Sequence, residues 1–316
     1  MGARKGGKTS VDHSRNSQTT TAKISVPETS EIRAVQADDH QPIQLWRTGR
    51  GRPLILLHEW TADHRAWDRF APTLADRFTV HAWDARGHGA TGAIPAPEAE
   101  PATVERMARD LKQVIDALAL DEAPLLVGHS MGALTVWRYV ALYGCRGLGG
   151  LCIIDQSPKL VTDADWRLGI YGDFPETRNQ AFMAGLAADF PNTVLKLLAD
   201  GHDSRAREQI EADSPGIRRL RERLGRLDPA PLITCWDSLA AADFRPVLPT
   251  IDVPCLLIYG TASNYYGVAV AEYVHQAIPG SVLHLYEGGD HSPHVGQRDR
   301  FLAELTAFGQ DAMSAR

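Results

Sequence analysis

A serine flanked by glycines stands where a short apolar run meets a helical pattern. The run that starts at Leu125 and stops at Gly128 predicts a buried strand, and a helix-like segment follows Gly132. This order of strand, tight turn and helix is typical of a nucleophile elbow, which forces Ser130 into a strained backbone conformation with its hydroxyl exposed. Glycine is needed on both sides because a Cβ would collide with the neighbouring strand or helix. The N–H of Met131, at the start of the helix, is left free to stabilise an oxyanion.

The glycine-flanked serine needs a base, an acid and a second oxyanion donor, since the pattern alone also fits a turn with an incidental serine. Two short runs, 32–35 and 43–46, predict a hairpin at the start of the chain. Apolar runs that predict buried strands then occur at 53–57, 78–83, 125–128, 148–155, 254–260 and 281–286. Because such strands alternate with amphipathic helical stretches, we expect a parallel sheet covered by helices on both faces.

The alternation of predicted strands and helices is absent from the middle of the chain and from its beginning. Residues 156–249 contain amphipathic helical stretches and no strong strand, which predicts a helical insertion. Residues 1–29 are rich in Lys, Arg, Ser and Thr and lack the apolar core of a secretory signal, so they are expected to form a flexible tail. The main domain is therefore expected to comprise residues 30–155 and 250–316.

Composition narrows the class of protein. The 316 residues are 44% hydrophobic and 23% charged, which is ordinary for a globular domain. A formal charge of −6 gives no basic footprint, so neither nucleic acid nor an anionic membrane is expected as a partner. No apolar run approaches the length of a membrane span. The four cysteines show neither paired nor metal-ligand spacing, which suits a reducing compartment and predicts a cytoplasmic protein.

Taken together, the motifs are similar to those of the α/β-hydrolase fold superfamily over residues 30–312. Four landmarks follow the family's order: His58-Glu59-Trp60, the loop Asp84 to Gly89, the elbow at Ser130, and His291 after the last strand. The resemblance implies the α/β-hydrolase fold, a mostly parallel sheet covered by helices on both faces. It places residues 156–249 where the family carries a helical cap, between strands six and seven. It also implies that Asp84 and His88 shape a loop and do not catalyse.

The resemblance implies a nucleophile, a base and an acid. Ser130 is then the nucleophile, and His291, on a loop after a strand, is the base that takes its proton. The usual position of the acid holds Ser263, followed by Asn264, and neither side chain can carry a negative charge. Some members take the acid from the end of the sixth strand, where Asp155 stands, so we expect Asp155 to be the acid. Two alternatives stay open: Asp155 only caps a turn, or Ser263 or Asn264 orients the histidine in a weaker dyad.

By the same resemblance, the N–H of Trp60 is the second oxyanion donor beside that of Met131. The family's usual glycine is replaced by Glu59, which restricts the backbone and brings a carboxylate close to a site for negative charge. Its side chain could face solvent, pair with an arginine such as Arg65, or meet a cationic or hydroxylated substrate. Glu59 and the elbow residue His129 are therefore candidate substrate-binding residues.

The predicted insertion is rich in large apolar side chains. Most of them must pack the insertion onto the main domain, and a few are expected to line the pocket, which indicates a partly hydrophobic or aromatic substrate. Trp166 and Phe182 are the candidates for this lining.

The first functional hypothesis is a serine hydrolase that forms an acyl-enzyme on Ser130 with an ester, lactone or thioester of a small molecule. No cofactor or metal is expected, because the sequence has no glycine-rich phosphate loop and no His/Cys cluster. Carbon–carbon bond hydrolysis and cofactor-free perhydrolase or haloperoxidase chemistry, all known on this fold, remain alternatives. A third hypothesis, favoured by Ser263 and Glu59, is a ligand-binding homologue with weak turnover. The fold does not fix the substrate, and a homodimer stays open.

Overall fold

The structure is a computed structural model that describes residues 1–3, 31–93 and 95–314. The tail predicted for residues 1–29 lies outside the described residues, apart from its first three. One sheet of eight strands runs through the molecule. Its strands are β1 Glu31–Gln36, β2 Pro42–Thr48, β3 Arg52–Leu57, β4 Phe78–Trp83, β5 Leu125–His129, β6 Gly150–Ile154, β7 Cys255–Gly260 and β8 Val282–Tyr286.

The helices lie between these strands and after the last one. In chain order they are α1 Ala71–Leu74, α2 Gly89–Ala93, α3 Val104–Ala117, α4 Met131–Tyr143, α5 Glu176–Ala188, α6 Phe190–Ala199, α7 Ser204–Glu211, α8 Pro215–Leu224, α9 Pro229–Ala240, α10 Val268–Ala277, α11 Pro293–Gly296 and α12 Arg298–Ser314. Short 3₁₀ turns occur at His64–Trp67, Ile170–Gly172 and Leu248–Thr250. Within the described residues, no helix has both the length and the apolar character to cross a bilayer.

The strand order across the sheet is β1-β2-β4-β3-β5-β6-β7-β8. The predicted hairpin is confirmed, because β1 and β2 pair antiparallel, and β2 also pairs antiparallel with β4. All pairs from β4 to β8 are parallel. The predicted, mostly parallel sheet is thus confirmed. Neighbouring parallel strands end at the same edge of a sheet, so the residues after β3, β5 and β6 meet there.

Apolar side chains cover both faces of the sheet. Every residue of β3, β5, β6 and β7 is buried, as expected for parallel strands between two layers of helices. One face packs against α3, α4 and α10, and the other against α1 and α12. The sheet is therefore a rigid platform for the loops at its carboxyl edge.

The segment after β3 forms two short turns instead of one helix. Trp67, Phe70 and Leu74 have helical spacing and are buried, but they belong to a 3₁₀ turn and the four-residue helix α1. Pro72 explains the interruption, because proline has no N–H to donate and is tolerated only in the first turn of a helix. Two short turns then bury the same apolar side chains that one long helix would.

Residues 156–249, all of which the structure describes, contribute no strand to the sheet. Helices α5 to α9 lie in this segment, where α5 contacts α6 and α9, and α6 contacts α7 and α8. Helix α9 also contacts α3 of the main layer. The segment therefore packs as a group of helices next to the carboxyl edge of the sheet.

Candidate active site

The turn between β5 and α4 has the geometry of a nucleophile elbow. Ser130 has φ 53° and ψ −115°, a conformation that a non-glycine residue adopts only under strain. A Cβ at Gly128 would lie 2.6 Å from the N atom of Ala133, and one at Gly132 would lie 2.3 Å from the carbonyl oxygen of Leu57. Both glycines are therefore required by close backbone approach, for the reason the sequence predicts.

Ser130 opens into a cavity of about 280 Å³ at the carboxyl edge of the sheet. The same cavity is lined by His291, Met131, Trp60 and Glu59. Its apolar wall includes Leu134, Leu160, Ile170, Val194, Leu197 and Trp236. A mostly apolar pocket with a few convergent polar groups is the usual form of a small-molecule site.

His291 and Asp155 are brought together by the structure. The ring Nδ1–H of His291 donates to Oδ2 of Asp155 over 2.7 Å, and Asp155 is completely buried. The carboxylate also accepts the N–H of Gly260 at 3.0 Å and the hydroxyl of Ser263 at 2.6 Å. These donors occupy the carboxylate oxygens and hold the buried carboxylate facing the imidazole. This arrangement suits an acid that orients a catalytic histidine.

The two residues at the family's usual acid position have other partners. Ser263 donates its hydroxyl to Asp155 and so supports the carboxylate. The side-chain amide of Asn264 donates to the carbonyl oxygen of Leu198 at 2.9 Å and accepts the N–H of Asp203 at 3.0 Å. Asn264 therefore ties the loop after β7 to the end of α6. This geometry favours Asp155 over the dyad alternatives.

The two residues expected to supply the oxyanion hole, Met131 and Trp60, both line the cavity. Met131 is the first residue of α4, so its N–H has no partner within the helix. Trp60 follows β3 in a turn that is closed by the N–H of Ala62 on the carbonyl oxygen of Glu59, at 3.2 Å. The Trp60 indole N–H donates to the carbonyl oxygen of Leu232 at 3.0 Å, which anchors this turn to α9.

His58 also holds the turn that contains Trp60 in place. Its Nδ1–H donates to the carbonyl oxygen of Glu59 at 2.7 Å, and its Nε2 accepts the N–H of Ala85 at 3.1 Å. This pattern requires a neutral ring, and burial lowers the pKa of His58 accordingly. The turn from Glu59 to Ala62, called the oxyanion turn below, is thus attached to the loop after β4.

Glu59 does not pair with Arg65. The guanidinium of Arg65 donates to Asp63 at 2.9 Å, whereas Glu59 Oε2 lies 3.2 Å from Nδ1 of His129. Burial opposes ionisation, but the hydrogen bond and charge of His129 hold the pKa of Glu59 well below its usual range. Burial alone would lower the pKa of His129, but the bond to Glu59 and its charge raise that pKa. Both side chains line the cavity, as expected for the two candidate binding residues.

Trp166 and Phe182 do not line the cavity, and their predicted role in substrate binding is corrected. The indole N–H of Trp166 donates to the carbonyl oxygen of Lys159 at 2.9 Å, and the ring packs against Tyr273. Phe182 packs against Trp236, with ring centroids 4.7 Å apart. An apolar residue in a helical segment can face any neighbouring element, so composition alone did not indicate which of them face the pocket.

Sequence reasoning missed two tyrosines in the cavity wall. Tyr265 and Tyr266 follow Asn264 directly, and the ring of Tyr265 lies 4.6 Å from that of His291, edge to face. The hydroxyl of Tyr266 accepts the side-chain amide of Gln156 at 2.9 Å. The available signal was their place on the loop after β7, at the edge where the other site residues meet.

Asp84 has the structural role that the resemblance implies. Its carboxylate accepts the N–H of His64 at 2.7 Å and that of Ala90 at 2.6 Å, so it closes the loop after β4. The ring of His64 also contacts Asp84, and Asp63 accepts the guanidinium of Arg65. Asp63, His64 and Asp84 are close enough to hold a cation, but they already satisfy one another or Arg65.

Comparison with known proteins adds the family. Residues 52–296 match the family described as alpha/beta hydrolase fold. The chain belongs to this family. The match spans most of the chain and includes β3 to α11, so the predicted superfamily and fold are confirmed.

Relatives of this family member are esterases by name. The chain is 27% identical over 267 residues to a pimeloyl-[acyl-carrier protein] methyl ester esterase of Vibrio vulnificus, covering 83% of this chain and 96% of that one. It is 29% identical over 267 residues to the protein of the same name from Stenotrophomonas maltophilia, covering 83% and 94%. These matches support the predicted ester-hydrolysing α/β hydrolase.

Solved structures share the fold. An esterase from Exiguobacterium antarcticum superposes with a TM-score of 0.74 at 23% identity, covering 88% of this chain and 98% of that one. A bromoperoxidase from Bacillus anthracis gives 0.73 at 23% identity, covering 89% and 99%. Since proteins with differently named activities share this architecture, the fold alone does not select among them.

Proposed function

We propose that this chain is a serine hydrolase that cleaves a carboxylic ester or lactone of a partly hydrophobic small molecule. The observation that carries the proposal is the 2.7 Å hydrogen bond between His291 and the buried carboxylate of Asp155, on a cavity that Ser130 also lines. Nucleophile, acid and base then follow β5, β6 and β8 of one rigid sheet, at its carboxyl edge.

The hydrogen bonds of His291 determine which of its ring nitrogens can act as the base. Nδ1 of His291 is bonded to Asp155, so Nε2 takes the proton when the Ser130 hydroxyl attacks the substrate carbonyl. The N–H groups of Met131 and Trp60 stabilise the oxyanion as the tetrahedral intermediate forms. His291 then returns its proton to the leaving alcohol. Water, activated by the same histidine, releases the acid from the acyl-enzyme.

The alternative of a binding protein with weak turnover rested on Ser263 at the usual acid position and on Glu59. The hydrogen bonds of Asp155 support its role as the acid and favour an enzyme. The mostly apolar cavity favours an acyl or alcohol part with hydrophobic groups. Because several relatives are named for a methyl ester substrate, methyl esters of acyl chains belong among the first compounds to test.

Burst kinetics tests the proposal. We expect p-nitrophenyl esters of graded chain length to give a stoichiometric burst of nitrophenol, because acylation of Ser130 precedes hydrolysis. Ser130→Ala should abolish the burst, whereas Ser238→Ala should retain it, since Ser238 bonds Cys235 and Val104 in the packing around α9. An unchanged burst in Ser130→Ala, or none with any ester, would contradict the acyl-enzyme.

A further inference from the structure

The cavity contains a second carboxylate–imidazole pair, formed by Glu59 and His129. Nδ1 of His129 lies 3.2 Å from Oε2 of Glu59, and its Nε2 lies 2.8 Å from the main-chain oxygen of His291. The ring of His129 is only 1% exposed. Both ring nitrogens therefore have fixed partners, and the imidazole holds one orientation.

These partners determine the number of protons on the ring. A main-chain carbonyl oxygen only accepts, so Nε2 of His129 must carry a hydrogen and donate it to His291. An ionised carboxylate also only accepts, so Nδ1 must donate to Glu59. The pair is then an imidazolium and a carboxylate, with no net charge.

The single ring of His129 joins three parts of the predicted machinery. Glu59 belongs to the turn that carries the Trp60 N–H, and His129 is the last residue of β5, directly before Ser130. The acceptor of its second bond is the main chain of His291 itself. Displacing this ring would release the oxyanion turn and the loop of the base together.

We propose that the Glu59–His129 ion pair is a positioning pair for the esterase reaction: it fixes the oxyanion turn and the His291 main chain relative to Ser130. It also cancels the negative charge that Glu59 would otherwise bring to the oxyanion site. This inference depends on the proposed function. Glu59 and His129 act through the Trp60 turn and through His291.

The surroundings of the pair favour its charged form at neutral pH. The groups that face it are Asp155, His291, His294, His58 and Tyr265. Burial lowers the pKa of both His58 and His294, so neither adds a competing positive charge, and the Asp155 carboxylate attracts the imidazolium. Loss of the His129 proton at alkaline pH leaves a nitrogen lone pair facing the Glu59 carboxylate, which separates the two side chains.

Two substitutions of Glu59 separate positioning from bulk packing. In Glu59→Gln, the side-chain amide can donate to a neutral His129 Nδ1, so the contact is kept without charge. We expect wild-type kcat to fall at alkaline pH as His129 loses its proton. Glu59→Gln should recover most of the kcat that Glu59→Ala loses and should not show this alkaline fall. Glu59→Ala breaks the contact, and we expect kcat to fall about 10- to 100-fold at pH 7.5 with KM within about threefold, as for one lost charged hydrogen bond.

Asp63→Asn is the matched control. Asp63 lies in the same segment as Glu59, but it pairs with Arg65 and caps the following 3₁₀ turn. Asparagine also caps such turns, so kcat and the pH profile should stay within about twofold of wild type. A Glu59→Ala enzyme with the kcat and pH profile of wild type, under conditions where wild type gives its burst, would overturn the positioning role.

A measurement that needs no turnover completes the test. In protein labelled with ¹⁵N-histidine, we expect His129 to show two protonated ring nitrogens at pH 7.5, with the resonances assigned by their loss in His129→Gln. Glu59→Gln should convert His129 to the neutral form with hydrogen on Nε2. A neutral His129 in the wild type would overturn the ion pair even if the burst is present. A wild type without any burst would instead overturn the proposed function.

Discussion

The cavity holds two carboxylate–imidazole pairs that differ in how the second ring nitrogen is used. In Asp155–His291, the carboxylate is fully buried and has two further donors, and only Nδ1 of the ring is bonded to it. In Glu59–His129, the carboxylate side chain is 33% exposed, and both ring nitrogens are occupied.

The difference shows that a residue pair becomes a base only if one nitrogen is left for substrate. Nε2 of His291 can take a proton from Ser130, whereas Nε2 of His129 must keep its hydrogen on a main-chain oxygen. The extra donors to Asp155 hold that carboxylate in place beside the ring. The Glu59 carboxylate has its partner in an imidazolium that keeps its charge during turnover. In the proposed mechanism, one carboxylate–imidazole pair thus transfers a proton and the other holds the backbone in place.

The largest expected effect comes from breaking the first pair. Asp155→Asn should keep the fold but lower kcat by about 10⁴, because an amide stabilises neither the required tautomer nor the imidazolium. Steady-state kinetics with a p-nitrophenyl ester and circular dichroism together measure this. Asn264→Ala is the comparison: its side chain bonds Leu198 and Asp203, so a loss of at most about tenfold is expected. The opposite ranking of the two variants would remove Asp155 from the triad.

A smaller effect should come from the donor that supports Asp155. Ser263→Ala removes a 2.6 Å hydrogen bond to the carboxylate and leaves His291 in contact. Hydrogen bonds to charged groups contribute about 1.5–3 kcal/mol, so we expect kcat to fall about 10- to 100-fold. Pre-steady-state kinetics should assign this loss to acylation. A kcat equal to wild type would mean that Gly260 alone suffices to hold the carboxylate.

The pH dependence of stability tests the Glu59–His129 pair. The folded-state pKa of His129 is raised. The contribution of His129 to the free energy of unfolding is therefore complete below the unfolded pKa of about 6.5, and it is lost as pH rises through the raised pKa. The pKa of Glu59 is lowered, so its contribution is present above about 4.3 and is lost as pH falls through the lowered value. The Tm of Glu59→Gln should therefore lie below wild type by about 2–4 °C between about pH 4.5 and 6.5, and the gap should close at alkaline pH, as His129 loses its proton.

Asp63→Asn again provides the contrast for this titration. Its hydrogen bonds with Arg65 lower the pKa of Asp63, and the arginine keeps its charge to very high pH. Any Tm difference for Asp63→Asn should accordingly persist at alkaline pH. If the gap of Glu59→Gln also persists there, the imidazolium assignment of His129 is wrong.

The smallest effect is expected outside both pairs. Trp166→Phe removes one hydrogen bond to Lys159 and keeps most of the packing against Tyr273, so it should cost about 1 kcal/mol of unfolding free energy. Its kcat/KM should stay within about twofold of wild type, because Trp166 does not line the cavity. A selective change in preference between short and long esters would restore Trp166 to the binding site.

The sequence was sufficient to predict those site residues whose positions follow from the backbone alone. A strand, a glycine-flanked serine and a helix leave one arrangement for Ser130, and the end of β6 brings Asp155 to the same edge. The contact between Glu59 and His129 was not predicted, because it joins residues 70 positions apart through side-chain orientation. Trp166 and Phe182 were placed wrongly for a related reason, since apolar character does not specify which neighbour a helical side chain faces.

One anchoring bond has a consequence for how the enzyme fails on heating. The Trp60 indole is held by the carbonyl oxygen of Leu232, so a donor of the predicted oxyanion hole depends on helix α9. Proteins open locally before they unfold globally, and helices outside the central sheet are candidates for early opening. A partly opened molecule would keep its reactive serine and still bind a covalent inhibitor, yet it would turn over slowly. The temperature ceiling for activity would then be set by the docking of these helices, well below the melting of the sheet.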